Sequence, residues 1–330
     1  MIPCNTDSEH PLHWKNIYAK SYIGAKKLVT KVPNLNLSEQ DLQQIDSTFP
    51  IHISGLLLDQ LSHDHPAMLQ YMPNIHELTN SKDGYDDPVG DVDASIQPGL
   101  IKKYNHRVLL ITSNTCPIHC RYCFRRNFSY PTSSPNTHLF HDALAKISQD
   151  QSINEVILSG GDPLSLDDNL LDDLIKSIEK ISHVDTIRLH TKFPSIYPHR
   201  ITSQLLDTLN RCKLNKVCVF HINHPDEISQ NFCDVVQKIK NTGTTTLNQS
   251  VLLKNVNNNS NILISLSHKL FKAGILPYYL HELDHAKGTH HFRVSSQEAQ
   301  ELITSMKANL PGYLVPKLAR EIPGAPSKLF

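Results

Sequence analysis

Apolar and polar positions along the chain fall into two regimes that meet near residue 100. Beyond it, short runs rich in β-branched and aromatic residues recur at strand length: RVLLIT (107–112), NEVILS (154–159), TIRLH (186–190), KVCVFHI (216–222), TTTLNQSV (244–251) and ILPYYL (275–280). Between them apolar residues repeat at helical spacing, as in Leu170, Leu171, Leu174, Ile175 and Ile178, or Ile201, Leu205, Leu206 and Leu209, or Ile262, Leu263, Leu266 and Leu270. Strand and helix in alternation predict a parallel sheet with right-handed crossovers. Several strands are continuous apolar runs, as expected where both faces are covered. Six such units predict an α/β fold, a partial (β/α)6 TIM-like barrel. A closed eight-unit barrel needs about 250 residues. In either form ligands gather at the carboxyl ends of the strands.

The first hundred residues are less regular. Trp14–Leu28 and Ser38–Ile45 read as helices, and Tyr71–Gln97, rich in Pro, Asp, Asn and Gly, reads as turns and loop. The predicted organisation is a mostly helical N-terminal region over 1–100, a barrel core over 101–294, and a C-terminal helix with a tail over 295–330. Lys plus Arg number 32 and Asp plus Glu number 32, so the basic excess of a nucleic-acid binder is missing. No apolar stretch approaches the ~20 residues that span a bilayer. The opening MIPCNTDSEHPLHW lacks the basic start and apolar run of a secretory signal. The seven cysteines are an odd set with three crowded together, which argues against a disulfide framework. A cytoplasmic protein without nucleic-acid or membrane partners is expected.

The chemistry concentrates where the first strand runs into TSNTCPIHCRYCFRR. Cys116, Cys120 and Cys123 place three soft ligands on one loop at the functional end of the sheet. An iron–sulfur cluster and a zinc ion are both served by thiolates; zinc would take a fourth ligand, for which His119 is available. Three cysteines on a cubane leave one iron open to a small chelating molecule. The second strand ends in SGGDP, where Gly160 and Gly161 permit a close backbone approach to a ligand.

The C-x3-C-x2-C motif followed by Phe124 resembles the signature of the radical S-adenosylmethionine (SAM) superfamily. With RVLLIT, LSGGDPL, FHINHP, LNQSVLL, PYYLHELD, HHFRV and PGYLVPKLAREIPGAPSK, the chain from about Lys103 to Lys328 is similar to the lysine 2,3-aminomutase family, most of all to its branch that serves β-lysylation of elongation factor P. The resemblance implies a [4Fe–4S] cluster on Cys116, Cys120 and Cys123, with SAM beside Gly160, Gly161, Asp162 and His221. It implies pyridoxal 5′-phosphate (PLP) carried by Lys328, with Lys103, Tyr104, Arg107 and Gln249 around it. It also implies a lysine substrate whose carboxylate meets Arg125 and whose side-chain ammonium meets Asp284 and Glu321.

By composition alone Lys328 is a solvated tail residue, and Arg125 and Arg126 are surface charges. The resemblance requires the last ten or so residues to fold back over the strand ends, with Lys328 beside cations. The implied activity is that of an isomerase turning L-α-lysine into β-lysine, fed by a flavodoxin- or ferredoxin-type electron donor and supplying a β-lysine ligase for elongation factor P. Two other readings remain: an aminomutase for another amino acid, and a non-catalytic homologue that binds elongation factor P. Longer aminomutases carry zinc-binding cysteines after the PLP lysine; no cysteine follows Cys233, so no such zinc site and a different oligomer are expected.

Overall fold

The computed structural model describes residues 13–79, 84–130 and 137–329. Residues 1–12, on which the reading of the amino terminus rests, lie outside the described residues. The main sheet has nine strands: β1 (Ser95–Gln97), β2 (Leu100–Tyr104), β3 (Arg107–Ser113), β4 (Glu155–Gly160), β5 (Thr186–Thr191), β6 (Asn215–Phe220), β7 (Thr245–Val251), β8 (Leu276–His281) and β9 (Lys317–Ala319). They lie side by side in chain order. From β3 to β9 every pairing is parallel, while β1, β2 and β3 form an antiparallel meander on one edge. Among the described residues no ladder joins β1 to β9, so the barrel is partial.

Each of the six predicted strands forms within a residue or two of its expected limits. β3 and β4 bury Val108, Leu110, Ile111, Val156, Ile157 and Leu158. β7 is the exception, because its buried positions are Thr246, Asn248 and Ser250. Asn248 accepts from the Ile222 amide and donates to the Ile222 carbonyl, which satisfies a buried amide without apolar burial.

The crossover helices Asp168–Glu179, Ser203–Arg211 and Gln230–Asn241 bury apolar stripes such as Leu171, Leu174, Ile175 and Ile178. Thr202 and Ser229 cap the second and third, each accepting from an amide three residues on; such caps contribute about 1 kcal/mol.

The N-terminal region is helical, with a two-residue ladder between Tyr22–Ile23 and Ile53–Ser54. The helix expected over Trp14–Leu28 is two, His13–Ser21 and Ala25–Lys31, interrupted by that ladder and Gly24. One apolar cluster runs from Trp14 through the barrel helices to Ile275, with the Trp14 and Phe193 rings edge to face at 5.4 Å. A second seats helix Ser296–Asn309 on Leu252, Leu263 and Leu280. The described residues of Tyr71–Gln97 are loop and turn except for a 3-10 turn at Ile75–Leu78, a single bridge from Tyr85 to Ala286, and strand β1. The C-terminal segment adds β9 to the sheet, an element with no periodic signal. Among the described residues no helix is long and apolar enough to cross a membrane.

Candidate active site

The loop after β3 is fixed from two sides. On the outer side Glu77 is buried between two guanidinium groups: Arg121 donates to it from Nε and Nη2 at 3.0 and 2.6 Å, and Arg126 from Nη2 at 2.8 Å. Arg121 also donates to the carbonyls of Phe49 and Pro50. Charge-assisted, multiply bonded pairs of this kind hold geometry well. On the inner side lies the turn after β4. Gly161 donates to the Ser113 carbonyl at 2.6 Å and Asp162 to the Thr115 carbonyl at 2.8 Å. Gly160 has φ +117°, and a Cβ there would sit 2.7 Å from the Ser113 oxygen; one on Gly161 would overlap the Thr115 backbone. The close approach these glycines permit is therefore to the cysteine loop's own backbone.

Asp162 is spent on the same turn. Its carboxylate accepts from the amides of Leu164, Lys192 and Phe193 and from the Thr191 hydroxyl. Its role beside SAM would thus pass through the backbone it orders.

The three thiols line one wall of a cavity of about 490 Å³. Burial pushes all three thiols up, Cys120 to about 11. Cations oppose the shift: Arg125, Arg126 and Arg121 at Cys123, and Lys192 at Cys120. The donor set is three soft ligands with positive charge behind them, which fits an anionic thiolate-bound cluster.

Arg125 itself is buried, contrary to the composition reading. Its Nε donates to Asp91 at 2.7 Å and its guanidinium lies 4.8 Å from the Phe124 ring centre. Asp91 also pairs with Lys103 at 2.6 Å.

The opposite wall is built from the tail. The backbones of Arg320 and Leu329 bond to each other in both directions, which folds the tail back so that Lys328 enters the cavity. There its ammonium pairs with Glu321, a carboxylate rather than the cationic surroundings expected for it. The other Glu321 oxygen accepts from the Tyr104 hydroxyl at 2.6 Å and lies 3.6 Å from Lys103. Asp284 lies on the same wall, its carboxylate making no hydrogen bond or ion pair among the described residues; burial lifts its carboxyl to about 7 against the pull of Lys328.

At the strand ends, Gln249 donates to His221 at 2.8 Å, and burial keeps His221 neutral with its pKa at about 3. Lys192 donates to the His221 carbonyl at 2.6 Å and to Glu227 at 2.8 Å. His190 Nε2 and Arg188 Nε line the cavity buried and without a partner, and Arg107, stacked 4.5 Å over Tyr104, makes no ion pair among the described residues. Arg188 is held through Nη2 by Glu155 at 2.8 Å, so Arg107 is the guanidinium of this pair without a carboxylate partner among the described residues; with the orphaned ring nitrogen it suits a phosphorylated cofactor.

The structure therefore gathers every sequence-named position around one cavity. Sequence reasoning missed Asp91, Lys192, Glu227 and the Glu77 clamp. Asp91 sits in a loop rich in acids, where nothing distinguishes it; the available signal was capping-box spacing, Glu77 three residues after Asn74 and Glu227 three after His224.

The fold and the cysteine loop define a radical SAM enzyme. Residues 106–214 match the family described as a 4Fe-4S single cluster domain. The L-lysine 2,3-aminomutase of Haemophilus influenzae is 41% identical over 322 residues, covering 96% of this chain and 94% of that protein. The Escherichia coli protein of the same name is 37% identical over 98% of this chain and 90% of its own length. That of Bacillus subtilis is 31% identical, and the match covers 91% of this chain and 64% of that longer protein. The chain belongs to the lysine 2,3-aminomutase family, and is an isomerase that uses SAM and a [4Fe–4S] cluster.

Proposed function

We propose that this enzyme converts L-α-lysine into β-lysine by 1,2-amino migration, with PLP on Lys328, in the cytoplasm, and that the product is ligated to elongation factor P. One observation carries the choice of substrate: an acid pair, Asp284 and Glu321, shares a cavity with the buried guanidinium of Arg125. A dibasic amino acid fits such a space, carboxylate toward Arg125 and side-chain ammonium toward the acids. A second carboxylate at the far end, as in glutamate, would meet Asp284 and Glu321 with like charge.

The cluster with SAM supplies a carbon-centred radical when reduced, and PLP when bound supplies a route for the amino group between neighbouring carbons. The chain's own residues bind, orient and exclude water. Lys328 offers the primary amine that holds PLP, and Glu321 keeps it within the cavity until ligand enters. Arg107 and Lys103 supply charge for the phosphate, while Tyr104 fixes Glu321. Gln249 and His221 form a neutral, dry surface beside the Gly160–Gly161 turn, suited to an adenosyl group. The folded-back tail covers the strand ends, which keeps water from reactive intermediates.

The test is anaerobic incubation of reconstituted protein with SAM, PLP, dithionite and L-lysine, followed by product identification. β-Lysine is the expected product. Turnover of glutamate but not lysine would reassign the substrate, and absence of SAM cleavage with a full cluster would favour the non-catalytic reading.

A further inference from the structure

The reduced cluster needs an electron from outside the chain, a requirement that rests on the radical SAM assignment. Electron transfer decays steeply with distance, so the donor must dock where the cysteine loop comes closest to an accessible surface. One surface is joined to that loop by ring contacts and carries a concentrated charge. A groove of about 710 Å³ runs along helix Ala25–Lys31, lined by Lys20, Lys26, Lys27 and Lys31 with Asp59 as its one acid. Lys31 neutralises Asp59 at 2.7 Å, Lys27 donates to the Tyr22 carbonyl, and Lys20 and Lys26 have no ion-pair partner among the described residues. Residues 10–38 hold five lysines and no acidic residue, in a chain whose formal net charge is zero.

The floor of this groove leads inward. The Tyr22 ring, 38% exposed, lies 4.6 Å from buried His52, and His52 lies 5.1 Å from His119. His119 is part of the cysteine motif, and its amide donates to the His52 carbonyl at 2.9 Å. Beside this path the Tyr18 hydroxyl donates to the Cys116 carbonyl. Two ring contacts thus join a lysine-lined surface to the loop.

We propose that this groove is the docking surface for an acidic one-electron donor protein. Opposite charge steers such encounters and makes them salt-dependent, and redox interfaces are small, below roughly 1,200 Å².

The probe is a flavodoxin photoreduced to its hydroquinone, added anaerobically to holoenzyme. The double variant K20E/K26E is expected to weaken flavodoxin binding by about tenfold or more at low salt. Bleaching of the cluster absorbance by flavodoxin should slow by a similar factor, while bleaching by dithionite is unchanged. The difference should vanish near 1 M salt, where the Debye length is about 3 Å. K20Q/K26Q should fall between, and K213E, on exposed Lys213 outside the groove, should match wild type. Unchanged binding in both double variants, or an equal loss in K213E, overturns the proposal. So does loss of elongation factor P binding with flavodoxin binding intact, which would give the groove another acidic occupant. A wild-type enzyme that takes the flavodoxin electron without rearranging lysine would instead defeat the proposed function and leave the docking surface standing.

Discussion

The two walls of the cavity are built in opposite ways. The cysteine wall comes from one continuous stretch, 114–130, clamped by Glu77 between Arg121 and Arg126, with each of these charges buried and paired. The tail wall is assembled from separate segments that bring in Lys103 and Tyr104, Asp284, and Glu321 with Lys328. Its charges pair with one another, Glu321 with Lys328 and Lys103, and burial raises the Asp284 carboxyl to about 7. The charges behind the cysteine wall are fixed in buried pairs outside the cavity, whereas those of the tail wall pair with one another within it.

Cys116→Ala, Cys120→Ala or Cys123→Ala should break the first wall outright. Iron and sulfide content and the EPR signal of the reduced protein are expected to fall to background, with far-UV circular dichroism retained.

Lys328→Ala should break the second wall and leave the first. Lysine rearrangement is expected to drop by on the order of a hundredfold or more, about 3 kcal/mol of barrier, while SAM cleavage persists. Borohydride reduction of the wild-type holoenzyme with peptide mapping should put the phosphopyridoxyl label on Lys328; a label on Lys317 would move the wall.

Asp284→Asn sharpens the contrast through pH. Losing the charged partner of a buried ammonium costs roughly 2–5 kcal/mol of lysine binding. The wild-type carboxyl is raised to about 7, so folding favours its protonated form. That preference is fully present below the unfolded value and is lost as pH rises toward 7. Above 7 the ionised group burdens the fold by an amount on the order of 4 kcal/mol. The Asn variant should therefore gain thermal stability over wild type at pH 8 and little at pH 4, read by calorimetry. Wild-type lysine affinity should weaken about tenfold per pH unit below 7, because the carboxyl must lose its proton before it pairs; in the variant that slope should be absent.

Tyr104→Phe should have the smallest effect. It removes one hydrogen bond to Glu321, worth about 1 kcal/mol, with a modest rise in the KM for lysine and unchanged cluster content.

The same contrast governs what was legible in the sequence. The cysteine wall is local, and a motif within eight residues declares it; six of the seven parallel strands declare themselves as apolar runs or, for β7, as β-branched residues. β1 and β9 are short edge strands and β2 lies just inside β1; all three carry polar positions, and their place comes from pairing rather than periodicity. Lys328 and Glu321 came into view only through family resemblance, since the backbone bridge that turns the tail inward leaves no mark on composition. Asp91 is an acid in a loop and Glu77 caps a short 3-10 turn; it is the arginines meeting them in three dimensions that give them their place in the site.

The two glycines after β4 bear on how the enzyme acquires its metal. Their missing methyl groups let the turn press directly on the cysteine loop, and two backbone hydrogen bonds hold it there. The turn acts as a mould: the entropy of shaping the loop is lost during folding, ahead of any iron or sulfide. Cluster assembly would then begin from a set template, with less of the loop left to order around the metal.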